Sequence, residues 1–260
     1  MTRQRPGQAR GSPSEAEVGT TVVACGAIAP ELAAVIGRLG LDGRIELTGL
    51  TPELHNTPAD IPERVRTEIR SAHERGRRVV VGYADCGTGG RLDAVCAEEG
   101  VERLPGAHCY ELFAGTDAFA SLHAAEPGTF YLTDFLVRSF DRLVVRGLGL
   151  DRHPELRELY FGNYRRLVHL AQSDDADLDA RARCAAQLLG LEHERVVTGL
   201  GPLRGAVAAA LGAGAGDAGS AHSGVDAAVP ANPGDRVVAA DARTPSTRQR
   251  AGSQATGVPG

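Results

Sequence analysis

Three cysteines stand where the chain changes character. Cys25 closes the apolar run TVVAC ahead of GAI, Cys86 lies in GYADCGTGG after RRVVVG, and Cys109 follows His108 in PGAHCYEL. Thiolates and a neutral imidazole are donors that zinc prefers, and three protein ligands leave a fourth position for water or a substrate. Iron or an iron-sulfur group uses the same soft donors, so ligand type alone does not choose among them. The expected metal set is Cys25, Cys86 and Cys109, with either His108 or His55 of LHNTP as the nitrogen ligand. His55 serves alternatively as an orienting neighbour of a ligand. Glu111, two residues past Cys109, is the candidate catalytic acid or base. The competing reading of each thiol is packing, because a buried cysteine behaves as a small hydrophobe. Cys96 and Cys184, set among alanine and leucine in helical stretches, are read as packing outright.

The run Cys86-Gly-Thr-Gly-Gly-Arg91 raises a nucleophile reading, with a thiolate among backbone amides and an arginine to clamp phosphate. Its Cys-to-Arg spacing is one residue short of the phosphatase loop it resembles, so a cysteine-nucleophile phosphatase or hydrolase ranks last. GTGG also lacks the G-x-G-x-x-G spacing of a dinucleotide loop. The glycines then serve a tight turn. If strand geometry persists, Asp85 and Cys86 point oppositely and only one of them faces the site. Asp134 in YLTD reads as a helix cap, with Thr133 the alternative. His73, His123, His153, His169 and His193 have no partner that the sequence identifies.

The elements that must position these residues alternate. TVVACG, RIELTGL, RRVVVGY, VERLPG, RRLVHLAQ and HERVVTGLG read as strands. PELAAVIGRLG, IPERVRTEIRSAHERG, GRLDAVCAEEG, HCYELFAGTDAFASLHAA, DLDARARCAAQLLG and PLRGAVAAALG read as helices. In PGTFYLTDFLVRSFDRLVVRG, FYLT suits a strand and FLVRSFDRLVV has helical periodicity. This succession predicts an α/β fold: a mostly parallel sheet of five or six strands with helices on both faces, a Rossmann-like three-layer sandwich. In such a sheet ligands bind at the carboxyl ends of the strands, the edge that Cys25, Cys86 and Cys109 share.

Composition bounds the rest. At 260 residues and 42% hydrophobic the chain can bury a sizeable core unaided. Residues 19–212 are expected to form a single α/β domain between polar tails at 1–18 and 213–260, disordered by composition. All 28 basic residues are arginine, dispersed along a chain of net charge -5, which argues against a nucleic-acid partner. No apolar run is long enough to span a membrane, and the first residues lack a secretory core, so the expected location is cytoplasmic. Five irregularly spaced cysteines do not suggest a disulfide framework. Oligomeric state is not legible.

Taken together, ACGAI, LHNTP, GYADCGTGG, PGAHCYELFAG, the EPGTFYLTDFLV to YRRLVHLAQ stretch and GLEHERVVTGLGPL resemble the domain of unknown function numbered 1638, over residues 20–208. Cys25, His55, Cys86, His108 and Cys109 occupy the positions of that family's cysteine and histidine motifs. Arg91 stands where the family often has an apolar residue, and TDFLVRSFDRLV lacks a tryptophan that some members carry. The resemblance implies a setting near corrinoid-dependent methyltransferases. The expected function is therefore a metal-dependent enzyme of one-carbon, methyl-transfer metabolism acting on a small-molecule substrate, with any corrinoid supplied by a partner. The alternative is a non-catalytic metal or cofactor accessory protein for corrinoid methyltransferase components.

Overall fold

The computed structural model describes residues 19–212, and the two segments read as tails lie outside the described residues. The fold is α/β with parallel strands flanked by helices, as the alternation predicts. The single sheet expected is instead two, of four and three strands. The first joins β1 (Thr20–Cys25), β2 (Ile45–Leu50), β3 (Arg78–Gly82) and β4 (Glu102–Arg103) in the order β2-β1-β3-β4. The second joins β5 (Thr129–Thr133), β6 (Arg166–Ala171) and β7 (Glu192–Val197) in sequence order. The break falls after VERLPG. Its strand pairs with β3 through two residues only, because Pro105 lacks an N–H to extend the ladder and Gly106 turns away at φ 96.

Burial explains the strands. Val22, Val23, Ala24 and Cys25 are all buried, as are Val79 to Val81, the pattern of central parallel strands covered on both faces. The edge strand β2 leaves Glu46 and Gly49 exposed. Three of the helices that cover this sheet follow its own strands. In α1 (Ala29–Arg38) Pro30 falls in the first turn, where its missing N–H costs nothing, and Leu32, Val35 and Ile36 face the core. In α2 (Ile61–Glu74) Ile61, Val65, Ile69 and Ala72 form one buried stripe. In α3 (Arg91–Glu99) Leu92, Val95 and Cys96 are buried, so Cys96 is packing as expected.

The stretch HCYELFAGTDAFASLHAA, read as one helix, is two: α4 (Cys109–Ala114) and α5 (Thr116–Ala125), parted at Gly115 with φ 83. This break lets α4 serve both sheets. Leu112 and Phe113 enter the first core, while the Tyr110 ring lies 5.4 Å from Tyr131 of β5 and 6.1 Å from Phe119 of α5. After β5 the chain forms α6 (Asp134–Arg138), a π-helical turn over Asp141–Val145, and α7 (Leu156–Phe161). Thr133, not Asp134, caps α6, its hydroxyl accepting from Leu136 N at 3.3 Å.

Over the second sheet, α8 (Ala176–Leu189) buries Leu178, Ala182, Ala185, Ala186 and Leu189. Cys184 is a correction: it falls between the buried positions of that stripe and is exposed. The last helix, α9 (Gly201–Leu211), follows β7 yet returns to the first sheet, where Leu203 and Val207 join the first core. Among the described residues no helix is long and apolar enough to cross a membrane.

Candidate metal centre

The order β2-β1-β3-β4 means that the chain leaves β1 for one side, then crosses to the other to form β3. The loops at the carboxyl ends of β1 and β3 therefore diverge, and the crevice between them is where open parallel sheets bind ligands. Cys25 is the last residue of β1, and Cys86 lies in the loop that follows β3. Two backbone bonds, from Asp85 N to Gly106 O at 3.1 Å and from Cys86 N to Ala107 O at 2.9 Å, tie this loop to the segment before Cys109. Cys86 and Cys109 thus line one pocket because one loop is pinned to another.

The loop has a built interior. Cys86 sits in left-handed conformation at φ 51, unlike every other non-glycine residue described. The Asp85 carboxylate points into the turn, where it accepts from Thr88 Oγ1 at 2.5 Å, Gly90 N at 2.9 Å and Gly89 N at 3.1 Å. Burial opposes its ionisation, but these donors and the charge of Arg103 outweigh that and hold its pKa below the usual carboxylate range. Of the two neighbours, Asp85 organises the loop and Cys86 faces the pocket.

His55 rides on a 3₁₀ turn, Pro52–Asn56, which follows β2. Its Nδ1 lies 3.1 Å from Pro52 O, and both ring nitrogens lie 3.9 Å from Cys25 Sγ. The ring stacks 6.3 Å from that of Tyr83, which is fully buried beneath it. Burial disfavours the charged ring, yet the neighbouring Cys86 and the Pro52 carbonyl together raise the His55 pKa above its ordinary value. Burial pushes the Cys25 thiol up to about 11, against the opposing pull of the Ala27 and Ile28 amides and the Tyr83 hydroxyl. Burial also raises Cys109 well above the thiol range, and the nearby charges of Cys86 and Cys25 add to the shift.

Cys86, Cys109, His55 and His108 line one pocket of about 150 Å³ with Pro58, Gly87 and Tyr110, and Cys25 lies beneath His55. Glu111 is not on its lining; its Oε1 accepts from Ala107 N at 3.2 Å and so braces the turn before α4. Among the described residues, no three of the ligand atoms of Cys25, His55, Cys86, His108 and Cys109 lie within 4.8 Å of one another. Among the described residues, the group whose ligand atoms all lie within 4.8 Å of one another is His169, Asp179 and His193, on the second sheet. Nothing local in the sequence pairs those three residues, and Tyr83 is not among the expected site residues. The signal for Tyr83 was present: the apolar run VVVGYA continues through it into the loop, and Tyr83 and Ala84 are wholly buried.

The fold and the crevice define a class: an α/β protein of parallel sheets with a thiol- and imidazole-lined pocket at a change of strand order. The model for the family described as Protein of unknown function (DUF1638) matches residues 49–207, and the chain belongs to that family. Cys25 and the rest of β1 precede the matched segment. No curated protein and no solved structure matches the chain.

Proposed function

We propose that the pocket is a metal centre, with Cys25, Cys86 and Cys109 as thiolate ligands and His55 as the nitrogen ligand, His108 standing at its rim. Zinc is the first choice and iron or an iron-sulfur group the second. The observation that supports this reading is that Cys86, Cys109 and His55 line one pocket with Cys25 Sγ 3.9 Å from the His55 ring, where Cys25 and Cys109 are driven toward their neutral form by burial, and Cys109 also by its neighbours' charge. A divalent cation relieves both effects, and binding would release the thiol protons. The protein then acts as a metal-dependent enzyme of one-carbon metabolism. Zinc at such a site lowers the pKa of a substrate thiol and keeps it nucleophilic at neutral pH, as methyl transfer requires. A corrinoid methyltransferase partner would supply or receive the methyl group. In the second reading the same site serves an accessory protein that holds a metal or cofactor for such a system.

A cysteine nucleophile at Cys86 with His55 as its base, without the phosphate clamp, is the second chemistry open to this pocket, since both side chains line it. Anaerobic purification followed by measurement of Zn, Fe, Co and Ni per chain, wild type against Cys86→Ser, separates these readings. A metal centre at the pocket predicts that Cys86→Ser carries about one ion per chain fewer than wild type. A metal-free wild type whose Cys86 is alkylated rapidly, and slowly in His55→Ala, would favour the nucleophile. Metal-loaded protein that turns over methylcobalamin with a thiol panel is an enzyme; stoichiometric transfer of the ion to a neighbour without turnover identifies the accessory protein.

A further inference from the structure

On the second sheet, four buried polar atoms lack a hydrogen-bond partner within one small volume: His169 Nδ1, Asp179 Oδ1, His193 Nε2 and Arg195 Nε. Unsatisfied buried polar groups are costly and call for an explanation. The first three belong to residues that can each offer a ligand atom within 4.8 Å of the others. Three elements supply them. His169 comes from the central strand β6, His193 from β7 and Asp179 from the first half of α8, which covers that face of the sheet.

The orientation of His169 is fixed from behind. Its Nε2 lies 2.9 Å from Asp134 Oδ1, and the ring is 1% exposed. The Asp134 carboxylate is itself held by Gln172 N at 3.2 Å, Ser173 N at 3.0 Å and Ser173 Oγ at 2.5 Å. A carboxylate only accepts, so the Nε2–H of His169 donates to it, and in the neutral ring Nδ1, buried without a hydrogen-bond partner, keeps a bare lone pair. A carboxylate behind a histidine that fixes its tautomer is the arrangement that metal-ligating histidines adopt.

We infer that His169 Nδ1, His193 Nε2 and Asp179 Oδ1 form a second metal site, independent of the thiol pocket, for a borderline divalent cation of the zinc type. The surroundings select among cations. Asp179 Oδ2 pairs with Arg183, so that carboxylate offers a single oxygen, and Arg195 Nε stands 4.0 Å from Oδ1. These two positive charges disfavour a hard cation such as calcium or magnesium, which relies on several anionic oxygens. An ion held mainly by imidazole lone pairs tolerates them better. Bound there, it would join β6, β7 and α8 as a structural clamp, replacing unsatisfied atoms with coordination bonds.

Cobalt(II), as a spectroscopic stand-in for zinc, tests this on the full chain stripped of metal under reducing conditions. The Cys25→Ser/Cys86→Ser double variant removes two of the pocket thiols. It is expected to bind one cobalt ion with visible d–d bands but without thiolate-to-cobalt charge transfer, and to melt at a higher temperature when loaded. Adding His193→Ala to that background is expected to abolish the bands. Asp179→Asn, which keeps the side-chain shape, weakens binding about tenfold, and Asp134→Asn, which removes no ligand, does so by about ten- to a hundredfold. Circular dichroism of each apo variant establishes that it is folded. A folded double variant that takes up no cobalt, or bands that survive both His193→Ala and Asp179→Asn, would overturn the site; water then fills the gap.

Discussion

At the scale of single residues, Asp85 shows how a loop can be built to hold a thiol. Its two oxygens take three donors from Thr88, Gly89 and Gly90, so the turn that carries Cys86 is closed by one side chain. Asp85→Asn removes the charge and one acceptor, and is expected to lower stability by about 1–3 kcal/mol at neutral pH. The sign of the pH dependence follows from the depressed pKa. The carboxylate's contribution is complete above its unfolded value of about 3.9 and fades as the pH falls through the lower folded value. The advantage of wild type over Asp85→Asn should therefore be constant from pH 7 down to about pH 5 and shrink on further acidification. Urea midpoints of both proteins across that range check this; a gap that widens in acid counts against the role. The sequence exposed the loop and its thiol but not the use of Asp85, because the three donors exist only once the turn has closed.

At the scale of elements, the end of β1 meets the end of β2 so closely that no side chain fits between them. A Cβ on Gly26 would lie 2.6 Å from the Leu50 carbonyl oxygen, which already accepts from Gly26 N at 2.7 Å, and 3.1 Å from Pro52. Gly26→Ala must therefore displace backbone on the side that carries His55. It is expected to cost about 1–3 kcal/mol and to speed alkylation of Cys25, read by mass spectrometry against denaturation midpoints. An unchanged rate in a destabilised protein would separate the strand contact from the pocket. Strands and helices of this kind were legible. The valine runs of β1 and β3 and the four-residue stripe of α2 state their burial directly, and the strand-end rule assigned Cys25, Cys86 and Cys109 to one edge. What was not legible depends on partners far along the chain. Asp134 and His169 are 35 residues apart and each looks ordinary alone. Cys184 looked buried among alanines until the helix stripe placed it two residues past Ala182. The parting of the sheets turned on a strand too short to recognise as an edge.

At the scale of the whole molecule, α4 and α9 hold the two sheets to one another. Leu203 is wholly buried in the first core although it follows the last strand of the second sheet. Leu203→Ala should cost about 2–5 kcal/mol, whereas the exposed neighbour Arg204→Ala should change stability by no more than about 0.5 kcal/mol. Hydrogen exchange distinguishes where the loss falls: amides of β1 and β3 should lose protection in Leu203→Ala before those of β6. Uniform loss across both sheets would mean that they unfold as one unit.

The return of α9 also orders events during synthesis. Val22, Leu32, Ile36, Val80 and Leu104, the apolar surface beside Val207, leave the ribosome long before the helix that covers them. At ordinary elongation rates that interval is on the order of ten seconds. The strands that carry Cys25 and lead to Cys86 are thus made well before the helix that seals them, so the nascent chain presents its thiols to cellular metal and oxidant before the fold can choose between them.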